Sequence, residues 1–319
     1  MTNPVDEIKV FSGRSNSALT GAICDYLDVR PGRAEIETFP DGEIFVKLHD
    51  DVRGRDVFVV QSTCRPVNDN LIELLIFMDC LRRASARRIT AVLPYFGYAR
   101  QDRKDEGRTP ITAKMVSNLI REAGANRVLT MDLHAPQIQG FFDIPVDHLQ
   151  ASPAFFRHFQ SLDYEKLTIV SPDVGTMKRS RSYAERMGCD LAVIDKRRIS
   201  GSNAVIENII GDVEGRDVLM IDDMIATAGT VSEAARIVKK RGARSIRGAA
   251  THPVFAGPAF ERLEQAPFNE IAVTNTIPLS DQARKRLPNL VVLTVADILG
   301  EAIARIHKHQ SISSLFNRS

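Results

Sequence analysis

The stretch VLMIDDMIATAGT, residues 218–230, continues an apolar run with two adjacent carboxylates and then with small and hydroxylated residues. The small side chains after the acidic pair let backbone N–H groups approach an anion. Thr230 and Glu233 form a capping-box pattern, so the loop opens onto the positive N-terminus of a helix. These features predict a phosphate cradle formed by Ala226, Thr227, Ala228, Gly229 and Thr230.

Asp222 and Asp223 extend this prediction to a sugar phosphate. Adjacent carboxylates can accept hydrogen bonds from vicinal hydroxyls, or hold a divalent cation that binds them. An isolated acidic pair would favour the alternative, which is a polar strand end followed by a capped helix, but the complete stretch favours a ligand site. The common nucleotide loops GxxxxGK[ST] and GxGxxG do not occur in the chain.

The elements that must position these residues alternate along the chain between apolar runs of strand length and amphipathic segments of helix length. This alternation is typical of α/β proteins with doubly wound parallel sheets, whose ligands lie beyond the carboxyl ends of the strands. One helix is predicted to start with Thr109 as N-cap and Pro110 at its first position, and to end at Gly124. The predicted strands are 8–13, 56–62, 88–96, 127–133, 167–173, 191–195, 218–223, 245–252 and 290–297.

The two halves of the chain resemble each other. GRDVFVVQS is matched by GRDVLMIDD, IKVFSG by LTIVSPD, and RVLTMD by VVLTVAD, at offsets of about 160 residues. Three matches in the same order predict two tandem domains of one fold, at 1–150 and 151–319, related by internal duplication. The first half lacks the acidic pair and the small-residue loop after GRDV, so we expect the second copy alone to hold the sugar-phosphate site.

Composition narrows the classes of partner and location. The net charge of +2 gives no support for binding nucleic acid or an anionic membrane. The N-terminal residues lack the pattern of an export signal, and no apolar stretch is long enough to span a bilayer. The four cysteines are far apart and lack CxxC spacing, which fits reduced thiols better than disulfides or a zinc site. We therefore expect a cytoplasmic protein.

The stretch 218–230 resembles the phosphoribosyl diphosphate (PRPP) signature of phosphoribosyltransferases and ribose-phosphate pyrophosphokinases. Further motifs resemble the pyrophosphokinases, or PRPP synthetases, of the class I bacterial type, and they cover nearly the whole chain in that family's order. Plain phosphoribosyltransferases lack FPDGE and the duplicated architecture. The motifs are FPDGE (39–43), RPVNDNLIELL (65–75), LPYFGYARQDRK (93–104), DLHAPQIQGFF (132–142), VSPDVG (170–175), DKRR (195–198) and TNTIPL (274–279).

The resemblance implies an enzyme that transfers the diphosphate group of ATP to the C1 hydroxyl of ribose 5-phosphate. The products are PRPP, used in nucleotide biosynthesis, and AMP. Lys196 and Arg198 take catalytic roles at the diphosphate, where cationic side chains stabilise developing charge, and Arg198 also belongs to the ribose 5-phosphate site. The resemblance gives the ribose hydroxyls and associated metal to Asp222 and Asp223, and the 5-phosphate to the loop 226–230.

Mg²⁺ is the implied cofactor, with His134 and Asp173 as the metal residues. Magnesium prefers oxygen ligands, which suits Asp173, whereas the softer imidazole of His134 could instead contact an ATP phosphate or a bound water. Phe39 and Arg100 could stack on adenine. The implied ATP site comprises Phe39, Asp41, Gly42, Glu43, Arg100 and Gln101.

The family builds its ATP site across a subunit interface, which implies a homo-oligomer, commonly a hexamer. Its regulatory site, where phosphate activates and ADP inhibits, corresponds here to Arg103, Lys104, Ser311 and Ser313. The implied partners are therefore ATP, ribose 5-phosphate, these two effectors and further copies of the chain.

Two positions depart from the common family pattern. Ala226 stands where many members have a third aspartate, and Thr176 stands where a second glycine is frequent. Losing one charged hydrogen bond to ribose would cost roughly 1.5 to 3 kcal/mol, or about 10- to 150-fold in affinity. The alternatives are therefore a non-catalytic regulatory subunit of the synthetase, and a PRPP-binding phosphoribosyltransferase or regulator. The retained Lys196, Arg198 and acidic pair favour the active synthetase.

Overall fold

The computed structural model describes residues 8–173, 175–198 and 205–315, which form two compact units. The first unit contains the described residues as far as Ala151, Thr276–Pro278 and the described residues from Thr294 onward. The second unit contains the described residues of Ser152–Asn275 and Leu279–Leu293. Within the described ranges, no helix combines the length and the apolarity needed to cross a membrane.

The first unit is built on a parallel sheet. Its strands are β1 Ile8–Ser12, β2 Ala34–Thr38, β3 Ile44–Leu48, β4 Asp56–Val60, β5 Arg88–Leu93, β6 Arg127–Met131 and β7 Val146–Leu149, and its helices include α1 Ser17–Leu27, α2 Val67–Arg83 and α3 Thr112–Glu122. The sheet order is β1-β4-β5-β6-β7, and β2 and β3 form a separate antiparallel hairpin. Because β4 is buried along its whole length, it is apolar after Asp56.

The second unit has a larger sheet of the same type. Its strands are β8 Leu167–Ser171, β9 Asp190–Arg198, β10 Val205–Ile210, β11 Asp217–Ile225, β12 Ser245–Pro253, β13 Glu270–Thr274 and β14 Leu290–Leu293. Its helices are α4 Ser152–Phe159, α5 Met177–Met187, α6 Gly229–Lys240, α7 Ala259–Glu264 and α8 Asp281–Arg286. The order is β10-β9-β8-β11-β12-β13-β14, with β10 antiparallel at the edge.

The two sheets share strand order and register, which confirms the predicted doubling of the fold. The GRDV aspartates, Asp56 on β4 and Asp217 on β11, each pair with the first residues of both flanking strands. Strands β1, β4, β5, β6 and β7 therefore correspond to β8, β11, β12, β13 and β14. The predicted match of RVLTMD with VVLTVAD is wrong, because RVLTMD lies on β6, whose counterpart is β13, whereas VVLTVAD begins on β14.

The last helix, α9 Ala296–His307, belongs to the first unit and packs on α1. Leu299 and Ile303 are fully buried, and a Cβ at Gly300 would approach the ring of Tyr26 to 2.5 Å. The hydroxyl of Tyr26 donates to Glu301 at 3.0 Å. The division of the chain therefore differs from the predicted domain 151–319, because the apolar face of α9 is covered by α1.

Some predicted boundaries also differ from the structure. The strand predicted at 290–297 ends at Leu293, and the helix predicted from Pro110 begins at Thr112. The hydroxyl of Thr109 donates to the carbonyl of Glu106 at 2.8 Å, so this side chain closes a turn instead of capping the helix. The strands that the sequence did not indicate are β2, β3, β7, β10 and β13.

Candidate functional site

The acidic pair lies near the carboxyl end of β11, in the second unit. One guanidinium nitrogen of Arg179, Nη1 on α5, donates to Asp222 Oδ1 at 3.0 Å and to Asp223 Oδ1 at 2.8 Å. Asp222 Oδ1 also accepts the backbone N–H of Asp223 at 2.8 Å. The residue types of 218–230 carry no sign of Arg179, because its contact depends on how α5 packs against β11.

Asp217 at the start of β11 and Asp222 near its carboxyl end have pKa values that are shifted in opposite directions. Burial, followed by the adjacent Asp223 carboxylate, raises the pKa of Asp222 to about 7, although Arg179 acts in the other direction. At the start of the strand, the hydrogen bond from Arg244 lowers the pKa of Asp217 to about 2. A strongly raised carboxyl pKa at a strand end is typical of a functional position, whereas Asp217 has the character of a structural ion pair.

The loop after the pair has the geometry of an anion site. The backbone N–H groups of Thr227, Ala228, Gly229 and Thr230 have no hydrogen-bond acceptor among the described residues. The loop's carbonyls face elsewhere, because Ala226 accepts the N–H of Ala256 at 2.9 Å and Thr227 accepts Arg262 Nη1 at 3.0 Å. Four donors beside the start of α6 therefore remain for an anion, as the phosphate-cradle prediction requires.

The predicted capping box of Thr230 and Glu233 is wrong. Helix α6 begins at Gly229, so Thr230 lies inside the helix, where it cannot act as N-cap. Ala228 is the N-cap, with a left-handed φ of 58° and no side-chain cap. Among the described residues, no side chain caps the first turn of α6, so none of them competes there with a phosphate.

Asp173 follows β8, the strand beside β11, and lies shortly before α5. Its Oδ1 accepts the Thr176 N–H at 2.9 Å and lies 3.2 Å from the Thr176 hydroxyl. The Ser171 hydroxyl donates to the Asp173 carbonyl at 2.7 Å. Thr176, which departs from the family's frequent glycine, therefore supplies a hydrogen bond that orients Asp173.

The equivalent positions of the first unit are filled by side chains. By strand register, Gln61 corresponds to Asp222 and Arg14 corresponds to Asp173. Between them lies Glu73, which is 1% exposed and accepts the Arg14 N–H at 2.7 Å and Gln61 Nε2 at 2.9 Å. This internal network explains why the first copy keeps the fold without the acidic pair.

The FPDGE motif forms the turn between β2 and β3. Phe39 is 44% exposed, and its ring centre lies 5.7 Å from that of Phe45. Gly42 adopts a left-handed φ of 95°, and Asp41 Oδ1 accepts the N–H of Glu43 at 3.2 Å. The turn thus presents an exposed aromatic ring beside exposed carboxylates, in keeping with the predicted adenine contact.

Arg100 and Gln101 lie in the segment between β5 and α3, and their side chains differ in whether they form hydrogen bonds within the protein. Arg100 is exposed, and its side chain has no partner among the described residues. Gln101 Oε1 accepts the hydroxyl of Thr112 at 2.5 Å, and its carbonyl accepts the N–H of Ala113 at 3.1 Å. Gln101 therefore anchors the start of α3, whereas Arg100 is available to a ligand.

His134 is exposed just after β6, in the first unit, and Asp173 belongs to the second unit. Within the described residues, no three His, Cys, Asp or Glu side chains are grouped as a metal site. Magnesium commonly uses one or two carboxylates together with waters and substrate phosphates. The oxygen atoms of Asp173 and the acidic pair fit that chemistry, although they form no complete cage.

Lys196 and Arg198 lie on the backbone of β9, which extends beyond the predicted strand end at Asp195 and pairs with β10. Their side chains and residues 199–204 lie outside the described part of the structure. The four predicted regulatory residues belong to the first unit. Arg103 pairs with Asp105 at 2.7 Å, and Ser311 Oγ accepts the Ser313 N–H at 3.2 Å.

A doubled parallel sheet, with one acidic strand end that leads into a small-residue loop, defines a protein of the phosphoribosyltransferase-type fold. Two family models match the chain. Residues 8–124 match the N-terminal domain of ribose phosphate pyrophosphokinase, and residues 199–317 match the phosphoribosyl synthetase-associated domain.

Known proteins match over nearly the whole length. The chain is 58% identical to a ribose-phosphate pyrophosphokinase of Rhodopirellula baltica, covering 97% of this chain and 98% of the relative. It is 53% identical to a ribose-phosphate pyrophosphokinase of Hyphomonas neptunium, and the match covers 98% of this chain and 100% of the relative. The crystal structure of a phosphoribosylpyrophosphate synthetase from Mycobacterium smegmatis superposes with a TM-score of 0.87 at 39% sequence identity. The match covers 95% of this chain and 99% of that structure. The chain belongs to the ribose-phosphate pyrophosphokinase family.

Proposed function

We propose that the protein is a ribose-phosphate diphosphokinase, which transfers the diphosphate group of ATP to the C1 hydroxyl of ribose 5-phosphate and releases PRPP and AMP. The observation that carries this proposal is the loop 226–230, whose free N–H donors follow the acidic pair in a chain with full-length synthetase relatives. A phosphate at those donors would place the ribose ring beside Asp222 and Asp223. The carboxylates would then accept hydrogen bonds from the ribose hydroxyls.

The remaining site residues are proposed by their chemistry. We assign Lys196 and Arg198 to the charge that develops on the transferred diphosphate, and Phe39, Arg100 and their neighbours to ATP. Asp173 and the acidic pair would hold Mg²⁺, with His134 as a further contact. When bound, the cation would neutralise phosphate charge. Asp173 is already oriented for this by Thr176.

The two alternative functions have less support. A plain phosphoribosyltransferase or PRPP sensor does not account for the exposed FPDGE turn or for relatives that match across both units. A non-catalytic subunit would be expected to lose catalytic residues, but Lys196, Arg198 and the acidic pair are present. Ala226 leaves its backbone in place, because its carbonyl is held by Ala256.

We also propose a cytoplasmic homo-oligomer, of hexamer size, that phosphate activates and ADP inhibits through Arg103, Lys104, Ser311 and Ser313. An apolar stripe on α3 supports self-association. Ile111, the N-cap residue of α3, is 37% exposed, and Met115 and Leu119 on the helix are 53% and 40% exposed; their spacing of four residues places the three on one side of α3. Met115 lies midway between the other two, so antiparallel packing of two copies about a two-fold axis would bring Ile111 against Leu119.

The activity is tested by incubating the purified protein with ribose 5-phosphate, ATP, Mg²⁺ and phosphate. We expect AMP and PRPP in equal amounts, measured by chromatography and phosphorus NMR. Lys196→Ala should lower the rate by about 10²- to 10³-fold, since a charge-stabilising group is removed. Lys239→Ala, an exposed lysine at the end of α6, is the matched control and should keep the rate. AMP formation no faster than in the Lys196→Ala variant would overturn the proposal.

A further inference from the structure

Arg179 occupies the oxygen atoms that a sugar or a cation would use. Its Nη1 lies 3.0 Å from Asp222 Oδ1 and 2.8 Å from Asp223 Oδ1. Asp222 Oδ1 accepts a second donor, the Asp223 backbone N–H, at 2.8 Å. Ribose hydroxyls or a divalent cation at these two oxygens would therefore compete with the guanidinium.

The depth of the pair shows why a counter-ion is needed before a ligand arrives. The side chain of Asp223 is 6% exposed, and those of Asp222 and Arg179 are 27% and 26% exposed. Two adjacent carboxylates at this depth are costly without a positive partner. The guanidinium of Arg179 offsets part of the negative charge of the two carboxylates.

The position of Arg179 suits displacement. It lies in the first turn of α5, shortly after Thr176, whose N–H holds Asp173, so a candidate magnesium ligand and the competing cation are close together in the chain. Its guanidinium is partly exposed, whereas Asp223 is almost fully buried. The arginine can therefore move toward solvent while the carboxylates remain fixed on β11.

We infer that Arg179 is a displaceable counter-ion of the empty site, a positioning residue that competes with the divalent cation and the sugar hydroxyls for Asp222 and Asp223. By competing, it lowers the affinity of the pair for the metal and holds the two carboxylates in place until the ligand binds. This inference rests on the proposed function, because that function supplies the metal and the sugar.

Arg179→Gln tests the inference with Mn²⁺ alone as the probe, titrated without nucleotide or sugar at one fixed, mildly alkaline pH for all variants. Electron paramagnetic resonance of free Mn²⁺ gives the dissociation constant. We expect Arg179→Gln to bind Mn²⁺ about tenfold more tightly than the wild type, because one competing charge is removed. Without metal, its melting temperature should fall, and saturating Mn²⁺ should raise it more than in the wild type.

Arg181→Gln is the matched control, because Arg181 is an exposed residue on the same helix and its loss changes the net charge equally. It should keep the wild-type Mn²⁺ affinity. Equal or weaker Mn²⁺ binding by Arg179→Gln than by Arg181→Gln would overturn the inference. If Arg179→Gln does not fold, Arg179→Lys decides. The lysine side chain is one bond shorter, so its ammonium cannot reach the position of Arg179 Nη1 as well; tighter Mn²⁺ binding than wild type supports the inference and equal or weaker binding overturns it.

The proposed reaction and the counter-ion role of Arg179 can be overturned independently. Wild-type protein that makes PRPP, combined with unchanged Mn²⁺ affinity in Arg179→Gln, would remove the counter-ion role and leave the activity. Tighter Mn²⁺ binding by the variant without PRPP synthesis by the wild type would support the counter-ion and remove the proposed reaction.

Discussion

Asp222 is the residue whose ionisation the fold perturbs most clearly among the carboxyls with a stated pKa. Its pKa of about 7 lies above the ordinary value of 3.8, so the folded chain holds this proton more tightly than the unfolded chain does. The stabilisation is fully present below about pH 4 and is lost as the pH rises through about 7. The ionised Asp222 carboxylate, which we propose binds the ligand, thus lowers the stability of the protein at neutral pH.

Asp222→Asn should remove this pH dependence. In buffer with EDTA, the free energy of unfolding of the wild type, relative to the variant, should fall by roughly 2 to 4 kcal/mol between about pH 4 and pH 7, at about 1.4 kcal/mol per pKa unit. Urea unfolding across that range measures the difference. Asp217→Asn serves as the contrast. The pKa of Asp217 is lowered, so its effect on the free energy of unfolding should appear below about pH 4. Parallel pH curves for wild type and Asp222→Asn would contradict the prediction.

The sequence located the acidic pair and the small-residue loop but not the residues that hold them. Asp222, Asp223 and the loop are contiguous, so their spacing alone indicated an anion site beside carboxylates. Arg179 and Arg262 come from other elements and reach the site through tertiary packing. Contacts of that kind leave no periodic pattern in the chain, because each depends on which helix covers which strand.

Strands that contain a continuous apolar run give a strong signal, and partly exposed strands give a weak one. The strands β4, β5 and β11 each contain such a run, which a buried parallel strand requires. In contrast, β2 and β3 form a small, partly exposed hairpin, and β10 is an antiparallel edge strand. Such strands bury less apolar surface, so polar residues are tolerated and the apolar signal is weak.

The α3 stripe gives a prediction at the scale of an element. Met115→Glu places a charge at the centre of the proposed contact, so the oligomer should dissociate into smaller species. Light scattering coupled to size-exclusion chromatography measures the mass. Arg121→Gln changes the net charge by the same amount but lies off the stripe, in surface ion pairs with Glu122 and Asp143, and should leave the mass unchanged. An unchanged mass for Met115→Glu would exclude this face as the contact.

At the scale of the whole molecule, duplication preserved the sheets and altered one strand end. The matched registers of β4 and β11 place Gln61 at the position of Asp222, where it joins Arg14 and Glu73 in a buried network. Polar groups buried in this way need complete hydrogen bonding, which the network supplies. Sequence comparison could predict that the first copy lacks the ligand site, but not which side chains occupy its place.

The division of the chain explains why α9 could not be assigned from sequence order. Helix α9 follows the second sheet along the chain, yet its apolar face packs on α1, and Arg88 donates to the carbonyl of Ile306 at 3.0 Å. Sequence position suggested the second domain, because linear duplication predicts two contiguous halves. The packing of α9 on α1 depends on which side chains fit together. The apolar periodicity of a helix shows that it has a buried face, but not which element covers that face.

Leu299→Ala tests this division, because Leu299 is fully buried on α9 within the first unit. Truncating it should lower the free energy of unfolding by roughly 2 to 5 kcal/mol. Hydrogen exchange followed by mass spectrometry should show faster exchange in α1 and β1, with β12 and β13 little changed. Leu263→Ala, at a 2% exposed leucine on α7, is the matched substitution in the second unit and should produce the reverse pattern. If each variant loses protection from exchange equally in both sheets, the two units unfold together. That result would contradict the prediction that α9 stabilises the first unit separately.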